Sequence, residues 1–171
     1  MLDEALQFLQ KDNGVFVVMT SNDITQLPTE FTRSGRVDAL WYFGLPTYEE
    51  RKEIFRVHLG KTGKEVTDKL IVAGAQNSQD FTGAEIKEVV KVALRKVYKR
   101  YKEDGNDNIT ENDLIDATNE VIPVSRSSRE VIAQLEDWAQ RRARYSNADA
   151  RTKEHKRDAD QALLEELEME V

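Results

Sequence analysis

Residues 82–105 read TGAEIKEVVKVALRKVYKRYKEDG, and this stretch decides the fold class. Thr82 is followed three residues later by Glu85, which is the spacing of a capping box that opens a helix. Apolar residues then recur every three or four positions, and Asp104-Gly105 is a turn signal that ends the segment. The pattern predicts the strongest helix of the chain, with an apolar stripe made of Ile86, Val89, Val90, Ala93, Leu94, Val97 and Tyr101.

Helical signals dominate the remainder of the chain after residue 46. Besides the helix above, we expect one helix from the Thr47-x-x-Glu50 capping box to about Gly60 and a second over 66–76. Two more are expected, one from the Thr110 cap to before Pro123 and one from the Ser127-x-x-Glu130 capping box onward. The last of these is expected to turn inward Val131, Ile132, Leu135, Trp138 and Ala139.

The segment before residue 46 has a mixed pattern. Residues 2–11 have helical spacing, and Pro28 suits the first turn of a short helix. VFVVM (15–19) and LWYF (40–43) are short apolar runs that predict strands, the first of them buried. We therefore expect an α/β piece with part of a parallel sheet (1–46), a four-helix unit (47–122), and a helical extension (123–171) whose acidic end at 161–171 is expected to fray or to be disordered.

Composition excludes several classes of protein. The 171 residues contain no cysteine, so disulfides and thiolate chemistry are excluded, and a cytoplasmic protein is expected. His58 and His155 lack metal-ligand spacing, so no metal site is expected. The net charge of −7 argues against a general nucleic-acid surface. No stretch is apolar enough to predict a membrane span or a signal peptide.

The sequence has no phosphate loop of the form G-x-x-x-x-G-K-[ST], whose backbone N–H groups would hold nucleotide phosphates. Gly60-Lys61-Thr62 matches only the end of that motif, because Phe55 stands where the first glycine should be. The triplet also follows a helix, so Gly60 is interpreted as a helix end. Asp3-Glu4 falls in a helical pattern and is interpreted as a solvated helix face rather than a metal-binding pair.

With the phosphate loop set aside, residues 15–122 resemble the C-terminal half of an AAA ATPase module. VFVVMTSND resembles the sensor-1 strand, and the resemblance implies that Asn22 orients the attacking water. LPTEFTRSGRVD resembles the region whose R-x-G-R supplies arginine fingers, which implies that role for Arg33 and Arg36. Val37-Asp38 stands where the family usually has Phe-Asp.

Two later strings resemble the nucleotide-binding parts of the same family. LPTYEERKEIFRVHLGK is similar to the start of the helical lid, which implies that Ile54 and His58 contact adenine. FTGAEI is similar to the sensor-2 segment, which implies that Gly83 and Ala84 let a helix N-terminus approach the nucleotide. The segment PVSRSSREVIAQLEDWAQRRA resembles the extension of a bacterial and plastid-type branch.

The resemblance implies a parent protein that couples ATP hydrolysis to remodelling of a macromolecule. It also implies a homo-oligomeric ring with ATP and Mg²⁺ between neighbouring AAA subunits. For this chain alone, no cofactor and no activity are expected, because the phosphate loop is absent from its sequence. In the family's sheet, the phosphate-loop strand lies between the strands that correspond to 15–19 and 40–43, so we expect both to have bare edges here.

Other interpretations of the same residues stay open. Arg33 and Arg36 could be ordinary surface arginines, Asn22 a turn cap, His58 a core histidine, and Gly83 merely part of a helix start. For the whole chain, one alternative is a non-catalytic interaction module that docks on intact ATPase subunits. Another is a helical nucleic-acid-binding domain that uses a basic stripe of Arg141, Arg142 and Arg144.

Overall fold

The computed structural model describes residues 16–23 and 37–146. Within these ranges the elements follow the order β1 (Trp41–Tyr42), α1 (Tyr48–Gly60), α2 (Asp68–Asn77), α3 (Gly83–Asp104), α4 (Glu111–Glu120), α5 (Val124–Ser127), α6 (Arg129–Arg142) and β2 (Arg144–Tyr145). The two strands pair in parallel, with Trp41 opposite Arg144. The described chain is thus mostly helical with a small parallel sheet, which confirms the expected fold class.

Threonine caps start each of the helices α1 to α4. The hydroxyls of Thr47, Thr67, Thr82 and Thr110 each accept a hydrogen bond from a backbone N–H in the first turn, at 3.3–3.4 Å. At Thr47, Thr82 and Thr110, a carboxylate three residues later also accepts from the backbone N–H of the threonine, at 2.7–2.8 Å. These boxes confirm the helix starts predicted at the three positions.

A closed four-helix arrangement encloses the core. Helix α3 packs against α1 and α4, and α2 packs against the same two helices. Gly74 on α2 allows close packing, since a Cβ at this position would lie 2.7 Å from Cε1 of Phe55. The largest apolar side chains of the helices that are fully buried are Phe55, Leu59, Ile86, Val89 and Leu114. The α3 stripe is confirmed over most of its length, but Tyr101 at its end is 49% exposed.

The first predicted strand is not formed. Residues 16–20 adopt neither helix nor strand, and Phe16 and Val18 are 90% and 75% exposed. The prediction of a buried strand at 15–19 is therefore wrong over its described residues. An apolar run becomes a buried strand only when other strands and helices cover it, and within the described residues β1 pairs with β2 rather than with this run.

The extension also differs from its prediction. Ser127 belongs to α5, and its hydroxyl donates to the carbonyl of Val124, so it does not cap the following helix. Helix α6 begins instead after Ser128, which makes no side-chain cap. The capping box predicted at Ser127 is wrong, because the serine already completes a preceding turn. On α6, Ala139 is fully buried as expected, whereas Val131 is 61% exposed.

Strand β2 was not expected from the sequence. The N–H of Arg144 donates to the carbonyl of Leu40 at 2.8 Å, and that of Ser146 donates to Tyr42 at 3.0 Å. The rings of Tyr42 and Tyr145 meet edge to face at 5.2 Å between centroids. The strand at 40–43 is therefore only two residues long, and one of its edges is covered by the C-terminal extension.

The remaining expectations concern residues that lie outside the described ranges. These are the helix over 2–11, the helix starting at Pro28, the acidic end at 161–171, and both Arg33 and Arg36. The division of the chain at residues 46 and 122 stays a prediction.

Candidate functional site

A cleft of about 520 Å³ opens where the end of β1, the first turns of α1 and the N-terminus of α3 come together. The connection between β1 and α1 forms one wall, with Phe43, Gly44 and Pro46. Helix α1 forms the opposite wall, with Glu49, Glu50, Glu53 and Ile54. The cleft is completed by Gly83 from α3 and by Ser146, which directly follows β2.

Ile54 and Gly83 are direct neighbours in this cleft. A Cβ placed on Gly83 would lie 3.7 Å from Cδ1 of Ile54, which is ordinary van der Waals contact. Gly83 is also the first residue of α3, where the helix presents N–H groups that have no carbonyl partner within the helix. The fold thus places an apolar side chain beside Gly83, the first residue of a capped helix, so the cleft can contact a flat, largely apolar group.

His58 and Ala84 lie outside this lining. His58 follows Ile54 by one turn of α1 and is partly buried. Burial, together with the charges of Lys61 and Lys87, holds the pKa of His58 below its ordinary value, so the imidazole is neutral at pH 7. Ala84 is exposed on the first turn of α3. The structure therefore brings together two of the four residues expected to contact a nucleotide.

Of the three expected catalytic residues, Asn22 alone belongs to the described part of the chain. Asn22 lies in the exposed segment 16–23 and is not among the residues that line the cleft. The hydrogen bonds of its turn are made by Ser21, whose hydroxyl accepts from the N–H of Asp23 at 3.2 Å. Arg33 and Arg36 lie outside the described residues.

The wall formed by α1 is acidic. Glu49 pairs with Lys52 at 3.0 Å, Glu53 pairs with Arg56, and Glu50 accepts from the cap residue Thr47. The lining in the described part of the chain contains no lysine or arginine, so it offers no cation for a phosphate. Among the described residues, no group of three or more histidine and carboxylate side chains is placed to hold a metal ion.

Arg51 shapes the cleft although sequence reasoning did not single it out. It is only 3% exposed, and its Nε donates to the carbonyl of Ala75 at 3.0 Å. Its Nη1 donates to the carbonyl of Pro46 at 3.2 Å, and its guanidinium lies 5.6 Å from the ring centre of Tyr48. Arg51 therefore ties the cleft wall at Pro46 to helix α2. Its position gives no signal in the sequence, because an arginine near a helix start is ordinarily exposed.

Comparison with known proteins connects this chain to a family. The sequence matches no protein-family model. It is 36% identical over 132 residues to the AAA domain-containing protein ycf46 of Guillardia theta, covering 76% of this chain and 25% of that protein. It is 32% identical over 134 residues to the proteasome-activating nucleotidase of Saccharolobus solfataricus, covering 78% of this chain and 31% of that protein.

The fold agrees with these sequence matches. The crystal structure of the FIGL-1 AAA domain superimposes with a TM-score of 0.52, covering 64% of this chain and 38% of that domain at 20% identity. The chain contains the C-terminal half of an AAA domain. The same AAA domain in complex with ADP matches with a TM-score of 0.51. The resemblance read from the AAA motifs is thereby confirmed.

The chain spans 25% of the length of the ycf46 protein that it matches and 31% of the length of the nucleotidase. None of the helices in the described ranges is both long enough and apolar enough to cross a membrane.

Proposed function

We propose that the cleft at Ile54 and Gly83 receives the adenine of a nucleotide, and that the chain supplies the lid, sensor-1 and arginine-finger parts of an AAA-type ATPase. One observation carries the proposal: two motifs that are distant in sequence place Ile54 and Gly83 in one cleft, with Cδ1 of Ile54 3.7 Å from where a Cβ on Gly83 would lie. The names of the relatives support it, since one is a nucleotidase and a structure of similar fold holds ADP.

The described residues fit the base of a nucleotide better than its phosphates. Ile54 offers an apolar surface for a planar ring, and the absence of a side chain at Gly83 lets the ring approach the helix N-terminus. The acidic wall disfavours phosphates, which need cations or a phosphate loop. We therefore assign the phosphates and Mg²⁺ to the other half of an AAA module, which supplies their charge stabilisation when it is present.

Asn22, Arg33 and Arg36 are proposed to complete the reaction rather than to bind the ground state. An amide can orient the water that attacks the terminal phosphate, which is the role proposed for Asn22. A planar, permanently charged guanidinium can stabilise the charge that spreads over phosphoryl oxygens, and an arginine supplied by a neighbour contributes roughly 10³–10⁵ in rate. Arg33 and Arg36 are thus assigned to the site of a neighbouring AAA subunit, within a ring that remodels a macromolecule.

A mixing experiment tests this assignment in an AAA protein that carries the segment downstream of a phosphate loop. Subunits with Arg33→Ala or Arg36→Ala should each be inactive alone. Mixed with subunits disabled in their own phosphate loop, they should regain ATPase activity where an intact loop faces an intact arginine. Mixtures that stay inactive while still assembling would show that the arginines do not act across the interface. Asn22→Ala should lower kcat more than nucleotide affinity.

A non-catalytic interaction module is the second candidate. The exposed side chains of Phe16, Val18, Trp41 and Phe43 favour it, because such apolar groups commonly mark binding surfaces. In this alternative the chain would bind intact AAA subunits and change their ATPase rate without contributing a working site. Titration of the chain into an active AAA ATPase distinguishes the two candidate functions. Only the interaction-module hypothesis predicts saturable binding that is unaffected by Arg33→Ala.

The nucleic-acid alternative is weakened by the contacts of its basic stripe. Arg141 donates to Asp137 at 2.8 Å, and the guanidinium of Arg144 lies 6.0 Å from the ring centre of Trp41. Two of its three arginines therefore already have partners within the chain.

A further inference from the structure

The C-terminal extension, α5 to β2, is fastened to the remainder of the molecule near its first residue. The N–H of Val124 donates to Oε1 of Glu85, which lies in the first turn of α3. The other oxygen of the same carboxylate accepts from the N–H and hydroxyl of Thr82, at 2.7 and 2.9 Å. Glu85 thus belongs to the capping box of α3 and also holds the beginning of the extension.

The last residues of the extension are fastened at a different place. Backbone bonds from Arg144 and Ser146 reach the carbonyls of Leu40 and Tyr42 at 2.8 and 3.0 Å. Tyr42 is 8% exposed and meets the ring of Tyr145. Burial, with the nearby charge of Glu136 on α6, raises the pKa of the Tyr42 hydroxyl above its ordinary value. This attachment is therefore made by strand pairing and by a covered aromatic contact.

The two attachments lie near different parts of the cleft lining. On the lid side, Glu85 follows the cleft residue Gly83 by two positions in α3. On the strand side, Ser146 directly follows β2 and lines the cleft. Between them, the lid and β1 are joined directly by the short connection at Gly44 and Pro46. The extension is thus a second link between the same two parts of the molecule.

We propose that the extension is a clamp that holds the helical lid against strand β1 and sets the width of the cleft. Glu85 is its attachment on the lid, and the pairing of β2 with β1 is its attachment on the strand side. Glu85 is accordingly a positioning residue that acts through the extension. Because the clamp is a property of the fold, it does not depend on whether the cleft accepts a nucleotide.

Spin-label distances test the clamp directly. The chain has no cysteine, so Ala39→Cys and Val57→Cys, both at exposed positions, can carry one label on the strand side and one on the lid. The clamped chain should give one narrow distance distribution. Glu85→Ala should broaden it, because the lid loses its attachment. Thr82→Ala is the matched control, since it weakens the cap of α3 but leaves the carboxylate to hold Val124.

A second variant acts at the other attachment. Arg144→Pro with Ser146→Pro removes both backbone donors of β2 and leaves the helical core untouched. It should broaden the distance distribution in the same way. If Glu85→Ala loses its helical circular dichroism and is therefore unfolded, this second variant still tests the clamp. Hydrogen exchange supplies a local readout: the amide of Val124 should exchange about tenfold faster in Glu85→Ala, the order expected for losing a bond to a charged group. Unchanged distance distributions in folded variants of both kinds would overturn the clamp.

Discussion

Position 83 matters for the cleft more than for the helix it begins. A Cβ there would touch Ile54 at an ordinary distance, so the protein itself has room for a methyl group. Glycine in a helix is less stable than alanine, so its presence at 83 has no evident benefit for folding. Gly74, in contrast, is needed for packing, because a Cβ at this position would lie 2.7 Å from the ring of Phe55. We therefore assign Gly83 to the proposed site and Gly74 to the packing of the helices.

Gly83→Ala should therefore leave folding intact and weaken the cleft. We expect the free energy of unfolding to be unchanged or raised by up to about 1 kcal/mol, while the affinity for ADP falls. Urea unfolding and a ligand titration measure the two quantities. Gly60→Ala is the matched control, since a Cβ at Gly60 meets open space. An affinity that falls equally in both variants would remove the special role of position 83.

Gly74→Ala should destabilise the helical bundle by about 1–3 kcal/mol, because the methyl group must displace a buried aromatic ring. Thermal or urea unfolding checks this value against Gly60→Ala. A stability equal to that of the parent would mean that α2 can shift away from Phe55 at no cost.

Arg51→Met should destabilise the chain by roughly 2–4 kcal/mol, because the buried carbonyl of Ala75 and the partly buried carbonyl of Pro46 lose their donor. The measurement is the urea midpoint. Arg56→Met is the matched control on the same helix, since Arg56 is half exposed and pairs with Glu53 at the surface, where ion pairs contribute little. Equal midpoints for the two variants would contradict the structural role of Arg51.

At the scale of elements, local chemistry explains which predictions held. The helix starts at Thr47, Thr82 and Thr110 depend on residues three positions apart, so the sequence alone reveals them. A strand depends on its neighbours in the sheet. For that reason the run at 16–19 could not be judged from its own composition, and the two-residue strand β2 gave no periodic signal.

The residues of the candidate site likewise fall into two groups, those that sequence motifs reveal and those that only the fold brings together. Ile54 and Gly83 were found through family motifs, whereas Ser146 lines the cleft and Arg51 holds its wall at Pro46 only because the fold brings distant residues together. The carbonyls that Arg51 holds belong to two different segments, and no local spacing reports that arrangement.

The joint between α3 and α4 should make stability depend on acid. Burial would raise the pKa of Asp113, but hydrogen bonds from Arg100 and Thr110 outweigh it and hold the pKa below its ordinary value. A lowered pKa in the folded state contributes stability above about pH 4, the ordinary range of an aspartate, and this contribution is lost as the pH falls further. Asp113→Asn should therefore be less stable than the parent at neutral pH.

The difference in unfolding free energy between Asp113→Asn and the parent should shrink as the pH falls below about 4. Urea unfolding over a pH series measures it. A difference that stays constant across the series would show that the charge of Asp113 does not contribute.

For the molecule as a whole, we propose that the cleft is the lid side of a nucleotide site, and the sequence contains no phosphate loop. We therefore expect the chain alone to bind ATP analogues weakly and not to hydrolyse ATP. Isothermal calorimetry with a non-hydrolysable analogue checks this, and near-micromolar binding would contradict it. A weak base-binding cleft remains observable by nuclear magnetic resonance at millimolar ligand.

The most direct test of the central claim is a titration of the isotopically labelled chain with ADP. Resonances of the Gly83 amide and the Ile54 Cδ1 methyl should shift together and saturate, with smaller changes at Ser146, because these groups line one cleft. Ribose phosphate without a base should not reproduce the shifts. If Gly83 and Ile54 stay unmoved at millimolar ADP, or if the shifts cluster elsewhere, the cleft is not the nucleotide site.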